Sequence, residues 1–136
     1  MKTRATVMNP EFREHFSQEC EAWLRELDFL LMEVSFLKTR LSHVVDATSS
    51  RAKITEAESF QNGFISTDEM VRRLLAEVKF QNEQIAYSKG LDDVVQQSKV
   101  NTGQEYLRAA IIKLEGEFAE MRRNFNQWVI ANIRTD

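Results

Sequence analysis

Residues 16–44 read FSQECEAWLRELDFLLMEVSFLKTRLSHV, with apolar side chains at Phe16, Cys20, Trp23, Leu27, Leu30, Val34, Leu37, Leu41 and Val44. The steps between them alternate four and three without a slip. This is the period at which one face of a helix meets neighbouring helices with knobs in holes. The same alternation returns near the end of the chain as Leu107, Ile111, Leu114, Phe118, Met121, Phe125 and Trp128. A third run lies between them: Ala57, Phe60, Phe64, Thr67, Val71, Leu74, Val78, Gln81 and Ile85. Three such seams predict an all-α fold: three long antiparallel helices in an up-down-up, left-handed bundle with heptad packing.

Punctuation sets the expected boundaries. Residues 1–8 read as a loose polar tail. Asn9-Pro10-Glu11 is a helix start, with Asn at the N-cap, Pro at the first helical position and an acid in the first turn. The first helix is expected over 10–47, ended by Thr48-Ser49-Ser50. The second is expected over 51–89, with Gly90 as a left-handed cap and Leu91 packing back. Asn62-Gly63 and the capping-box pattern Ser66 to Glu69 could break it. Yet the seam keeps phase on both sides of Gly63, which favours a continuous helix. Residues 91–101 read as a connection, with room for a short helical turn at Asp92–Lys99. A capping box at Thr102 and Glu105 predicts a third helix over 103–133. The whole is read as one domain of 136 residues.

Composition narrows the function classes. Hydrophobic residues make up 43% and charged residues 29%, ordinary values for a globular protein, and a formal net charge of -3 gives no basic excess for nucleic acid. No run approaches the roughly 18 apolar residues of a membrane span. Cys20 is the one cysteine, so no internal disulfide forms, which suits a reducing compartment. No apolar run follows the basic start, as a signal peptide requires. These features together suggest a cytoplasmic location and no membrane partner.

Each chemical motif has a plainer structural reading. Di-iron bundles use Glu-x-x-His on facing helices, but Phe12 and Arg40 stand three residues before His15 and His43. The histidines are about 40 Å apart along one helix and both lie off the seam, so no metal or other cofactor is expected. Cys20 sits on the seam, where burial raises a thiol's pKa and makes it inert. With no activated nucleophile and no glycine-rich phosphate loop, no enzyme is expected. The pairs Arg72-Arg73 and Arg122-Arg123 are the best nucleic-acid signal. Asp68 and Glu69 lie four residues before the first pair, and Glu120 just before the second, so a salt-bridged surface explains them. Thr67, Gln81 and Asn132 are polar residues on the seams. They are read as structural, at bundle ends or fixing register.

One pattern asks for more than a core. Phe29, Met32 and Phe36 form a second stripe on the first helix, at the outward c, f and c positions of the heptad. Phe80 and Tyr87 repeat this on the second helix at a spacing of seven. Large apolar side chains on an outward face mark a partner surface, unless the link 91–101 folds over them or a wide core takes them in. The expectation is a non-enzymatic interaction or self-association module. Its partner would be a second copy or another helical protein, docking on Phe29, Met32, Phe36, Phe80 and Tyr87. The alternative is a bundle that binds a small ligand or metal in an aromatic-lined cavity.

Overall fold

The computed structural model describes residues 10–88 and 94–134. Three helices take in nearly all of them: α1 (Pro10–Asp46), α2 (Arg51–Tyr87) and α3 (Val94–Arg134). No strand occurs among the described residues. The all-α expectation therefore holds. The 1–8 tail, the Asn9 cap and the Gly90 cap with Leu91 lie outside the described residues.

Pro10 opens α1, where its missing N–H costs nothing. The helix closes through tight turns, with the amides of Ala47 and Thr48 donating to the carbonyls of Val44 and Val45 at 3.2 Å. Ser50 then caps α2: its Oγ accepts from the Lys53 amide at 3.3 Å. Thr48 Oγ1 in turn accepts from the Ser50 amide at 3.1 Å. The second helix passes through Gly63 unbroken. At its far end Ser88 Oγ donates to the Ile85 carbonyl at 2.7 Å, satisfying one of the carbonyls a helix end leaves open.

The third helix differs from its expected start. It begins at Val94, so residues 94–101 belong to α3 where a connection with at most a short helical turn was expected, and Thr102 with Glu105 caps nothing. The reason is packing. Val100, Gln97 and Gln104 are all buried, continuing the seam of Leu107 backwards by three and four residues. Burial of that extra turn outweighs a local capping preference.

The chain forms two compact units. Unit 1 takes in the described residues of 1–28 and 73–112. Its core is Cys20, Trp23 and Leu27 from α1, Leu74, Val78 and Ile85 from α2, and Val100, Leu107 and Ile111 from α3. Here α2 runs against α3: the Gln81 amide meets the Val100 carbonyl at 2.9 Å, while Gln84 meets Gln96 at 3.3 Å.

Unit 2 takes in the described residues of 29–72 and 113–136. Its core is Leu30, Val34, Leu37 and Leu41 with Ala57, Phe64, Val71, Leu114, Phe118, Phe125 and Val129. Four aromatic rings cluster in it. Phe125 stands edge-on to Phe60 and Phe64, at 5.3 and 5.2 Å between centroids. It stacks on Trp128 at 6.0 Å, and the Trp128 indole donates to Glu56 at 2.8 Å.

Two glycines of α3 should respond to alanine with opposite signs. Nothing lies within 4 Å of a Cβ built on Gly116, so Gly116→Ala should stabilise by about 1 kcal/mol from helix propensity alone. A Cβ on Gly103 collides with the Gln81 amide. That amide is held by hydrogen bonds to the Val100 carbonyl and to Gln104. Moving it leaves buried polar groups unpaired at about 1–3 kcal/mol each, so Gly103→Ala should destabilise despite the same propensity gain. Urea midpoints of the two variants test this, and a Gly103→Ala protein more stable than wild type would refute the packing account.

Candidate partner surfaces and the buried polar layer

Unit 1 carries a polar layer across its core. Gln81 Nε2 donates to Gln104 Oε1 at 2.9 Å. Gln104 Nε2 donates to the Phe16 carbonyl at 3.1 Å and to Glu19 Oε1 at 2.9 Å. Glu19 is gripped by Arg108 through Nε at 2.9 Å and Nη2 at 2.7 Å, and the Arg108 guanidinium lies 6.0 Å from the Trp23 ring centre. All three helices are thus joined by side chains that would be unpaired in any other register. Burial pushes the Glu19 carboxyl up, but hydrogen bonds from Arg108 and Gln104 outweigh it and hold the group below its usual value. The stabilisation this implies is present above the ordinary carboxylate range. It is lost as pH falls through the lowered folded-state value. Of this layer the sequence reading named Gln81. It missed Gln104, because the third helix was expected to start just before it.

Cys20 lies beside this layer, fully buried, with its Sγ 3.9 Å from Gln104. Burial pushes its thiol up to about 11, against an opposing hydrogen bond from Gln104 and reinforced by Glu19 and Glu21. A thiol so placed reacts only when the core opens. Native protein should therefore label far more slowly with a thiol reagent than urea-unfolded protein. Equal rates in the two states would contradict the seam position.

One arginine of each pair is engaged by an acid. Arg72 binds Asp68 at 2.6 Å, one turn back, and Lys38 reaches the same carboxylate at 3.5 Å. The Arg72 hydrogen bond holds the Asp68 carboxyl below its usual value. Arg122 pairs with Glu33 of α1 at 3.0 and 3.2 Å, and its guanidinium lies 5.6 Å from the Phe118 ring centre. The sequence had offered Glu120 as its nearest acid. His15 and His43 are both exposed. No group of three or more His, Cys, Asp or Glu side chains among the described residues is placed to hold a metal ion. No helix among the described residues is long and apolar enough to cross a membrane.

In unit 2, Phe29, Met32 and Phe36 are 58%, 69% and 62% exposed. Between residues 29 and 39 the exposed positions of α1 are Phe29, Met32, Ser35, Phe36 and Thr39, and none carries charge. Thr39 Oγ1 donates back to the Ser35 carbonyl at 3.2 Å, which masks both groups. The charged residues in this stretch, Glu33 and Lys38, lie at the edges of the seam and are drawn into ion pairs with α3 and α2. Three turns of helix thus present an uncharged, largely apolar face to solvent.

In unit 1, Phe80 is 60% and Tyr87 68% exposed. Phe80 has a neighbour that the sequence did not suggest. It and Tyr106 line one groove between α2 and α3, of about 360 Å³, together with Gly103, Val100 and Leu107. Lys99 and Glu77 also line it, and Glu77 Oε1 is buried without a hydrogen-bond partner. Tyr106 escaped notice because an expected helix start at 103 put it in a first turn, with no face assigned. Gly103 opens the groove, since any side chain there would fill it. Comparison with protein-family models, with curated proteins and with solved structures finds no match to this chain.

Proposed function

We propose that the protein is a non-enzymatic, cytoplasmic helical interaction module that self-associates, with the uncharged face of α1 as the centre of its interface. The helices are read as an up-down-up, left-handed bundle with heptad packing, which leaves the c and f positions of α1 for a partner. The observation that carries this reading is the run from Phe29 to Thr39, in which every exposed residue is uncharged while both charged residues are engaged internally. Three large side chains, each more than half exposed, present about 350 Å² of apolar surface. That is the core of an interface, to be completed by a polar rim towards the roughly 800 Å² per partner of a standard complex. A second copy is the simplest occupant, because a two-fold axis sets this uncharged patch against itself with no like charges opposed. Phe80, Tyr106 and Tyr87 offer a further apolar surface for the same assembly.

The geometry gives a direct test. A two-fold axis through the stripe passes near Met32, so Met32→Cys places two thiols close together. Mild oxidation should convert this variant to a covalent dimer much faster than Glu58→Cys, an exposed position on α2. Cys20, buried, should remain reduced in both. Equal, slow cross-linking of the two variants would oppose an interface at this stripe.

A further inference from the structure

A hollow in unit 2, where α1 ends and α2 begins, combines two features that make different demands on an occupant. Much of its wall is apolar: Val44 from α1, Ala47 just past the end of α1, and Val129 and Ile133 from α3. Its lining also includes Arg40, His43, Lys53 and Asn132 and, among the described residues, no acidic side chain. Its volume is about 270 Å³, room for roughly nine groups the size of a water molecule or methylene. Arg40 and His43 are exposed at the end of α1, so their donors stand at the solvent edge of the hollow and the apolar walls lie beside them. Thr48 and Lys53, on either side of the start of α2, also line the space.

An occupant that satisfies both features has an alkyl body and an anionic head. A purely apolar molecule would make no use of the Arg40 guanidinium, and a small anion would leave the walls wet. We propose that this hollow binds a medium-chain fatty acid, its alkyl chain against Val44, Ala47, Val129 and Ile133 and its carboxylate at Arg40 and His43. Charge complementarity selects the carboxylate, and the size of the hollow selects the medium chain. The proposal is independent of the α1 stripe, whose residues do not line the hollow.

Isothermal titration of the full chain with decanoate, below its micelle concentration, tests this. Wild type should bind saturably with one site, and acetate, which lacks the chain, should give no saturable heat. Arg40→Glu should weaken decanoate binding by about tenfold or more, as expected for loss of a charge-assisted contact, while leaving binding of neutral 1-decanol unchanged. Ala47→Trp fills the hollow from its rim and should abolish binding of both, with helicity by circular dichroism retained. The Phe29→Ser, Phe36→Ser double variant should bind decanoate like wild type, which separates this site from the self-association surface. Absence of saturable decanoate binding to wild type would overturn the proposal. So would binding that survives both Arg40→Glu and Ala47→Trp. A change of mass in solution on Ala47→Trp, with no decanoate binding to wild type, would assign the hollow to a second copy instead.

Discussion

Phe125→Ala should cost about 3–5 kcal/mol of stability, the usual range for emptying an aromatic site in a packed core. Phe125 is fully buried and packs on three other rings, Phe60, Phe64 and Trp128. Its removal loses the transfer free energy of one side chain and leaves a void walled by rigid aromatics that collapse poorly. It also removes edge-to-face and stacked pairs worth about 0.5–1.5 kcal/mol each beyond area. Against a total of about 5–15 kcal/mol for a domain, that is a large share. Urea unfolding followed by circular dichroism at 222 nm measures it. A loss below about 1 kcal/mol would mean that the four-ring cluster is not the packed centre of unit 2.

The second large effect is on association rather than stability. Phe29→Ser with Phe36→Ser removes the two rings that flank Met32 on the uncharged face of α1. Each copy in a symmetric dimer loses both, so four partly exposed rings leave the interface. At about 1.5–3 kcal/mol for a fully buried Phe, scaled to the area each ring exposes in the monomer, the dimer should weaken by at least about 3 kcal/mol. That is more than a hundredfold in Kd. The fold should barely change, because neither ring is buried in its own chain and serine has a helix propensity close to that of phenylalanine. Analytical ultracentrifugation together with urea unfolding reads both quantities. Unchanged association, or a stability loss of several kcal/mol, would assign the two rings to internal packing instead.

These two outcomes separate what the sequence states clearly from what it states faintly. The first seam is legible because its spacing is periodic and its side chains apolar: Cys20, Trp23, Leu27, Leu30, Val34, Leu37 and Leu41 are buried, while its two ends, Phe16 and Val44, are half-buried. Passage of α2 through Gly63 is legible for the same reason, since an unbroken phase on both sides favours continuity. The start of α3 is not legible. Its first three turns are held by Gln97, Val100 and Gln104, and two glutamines on a seam look like surface until their partners in space are known. The capping-box pattern at Thr102 and Glu105 then supplied a local signal that tertiary burial overrides. The outward stripe of α1 could be named from heptad position alone. That its neighbouring charges, Glu33 and Lys38, turn inward to Arg122 and Asp68 could not, because those pairs join residues far apart in the chain. Tyr106 became part of a groove with Phe80 only once α3 had its true length.

Self-association through α1 is the central claim, and absolute mass in solution tests it most directly. Multi-angle light scattering of the wild-type chain across a hundredfold range of concentration should show mass rising to twice the 15.9 kDa of the chain. The Phe29→Ser, Phe36→Ser variant should stay at 15.9 kDa over the same range. A wild-type mass fixed at 15.9 kDa at every concentration would contradict self-association.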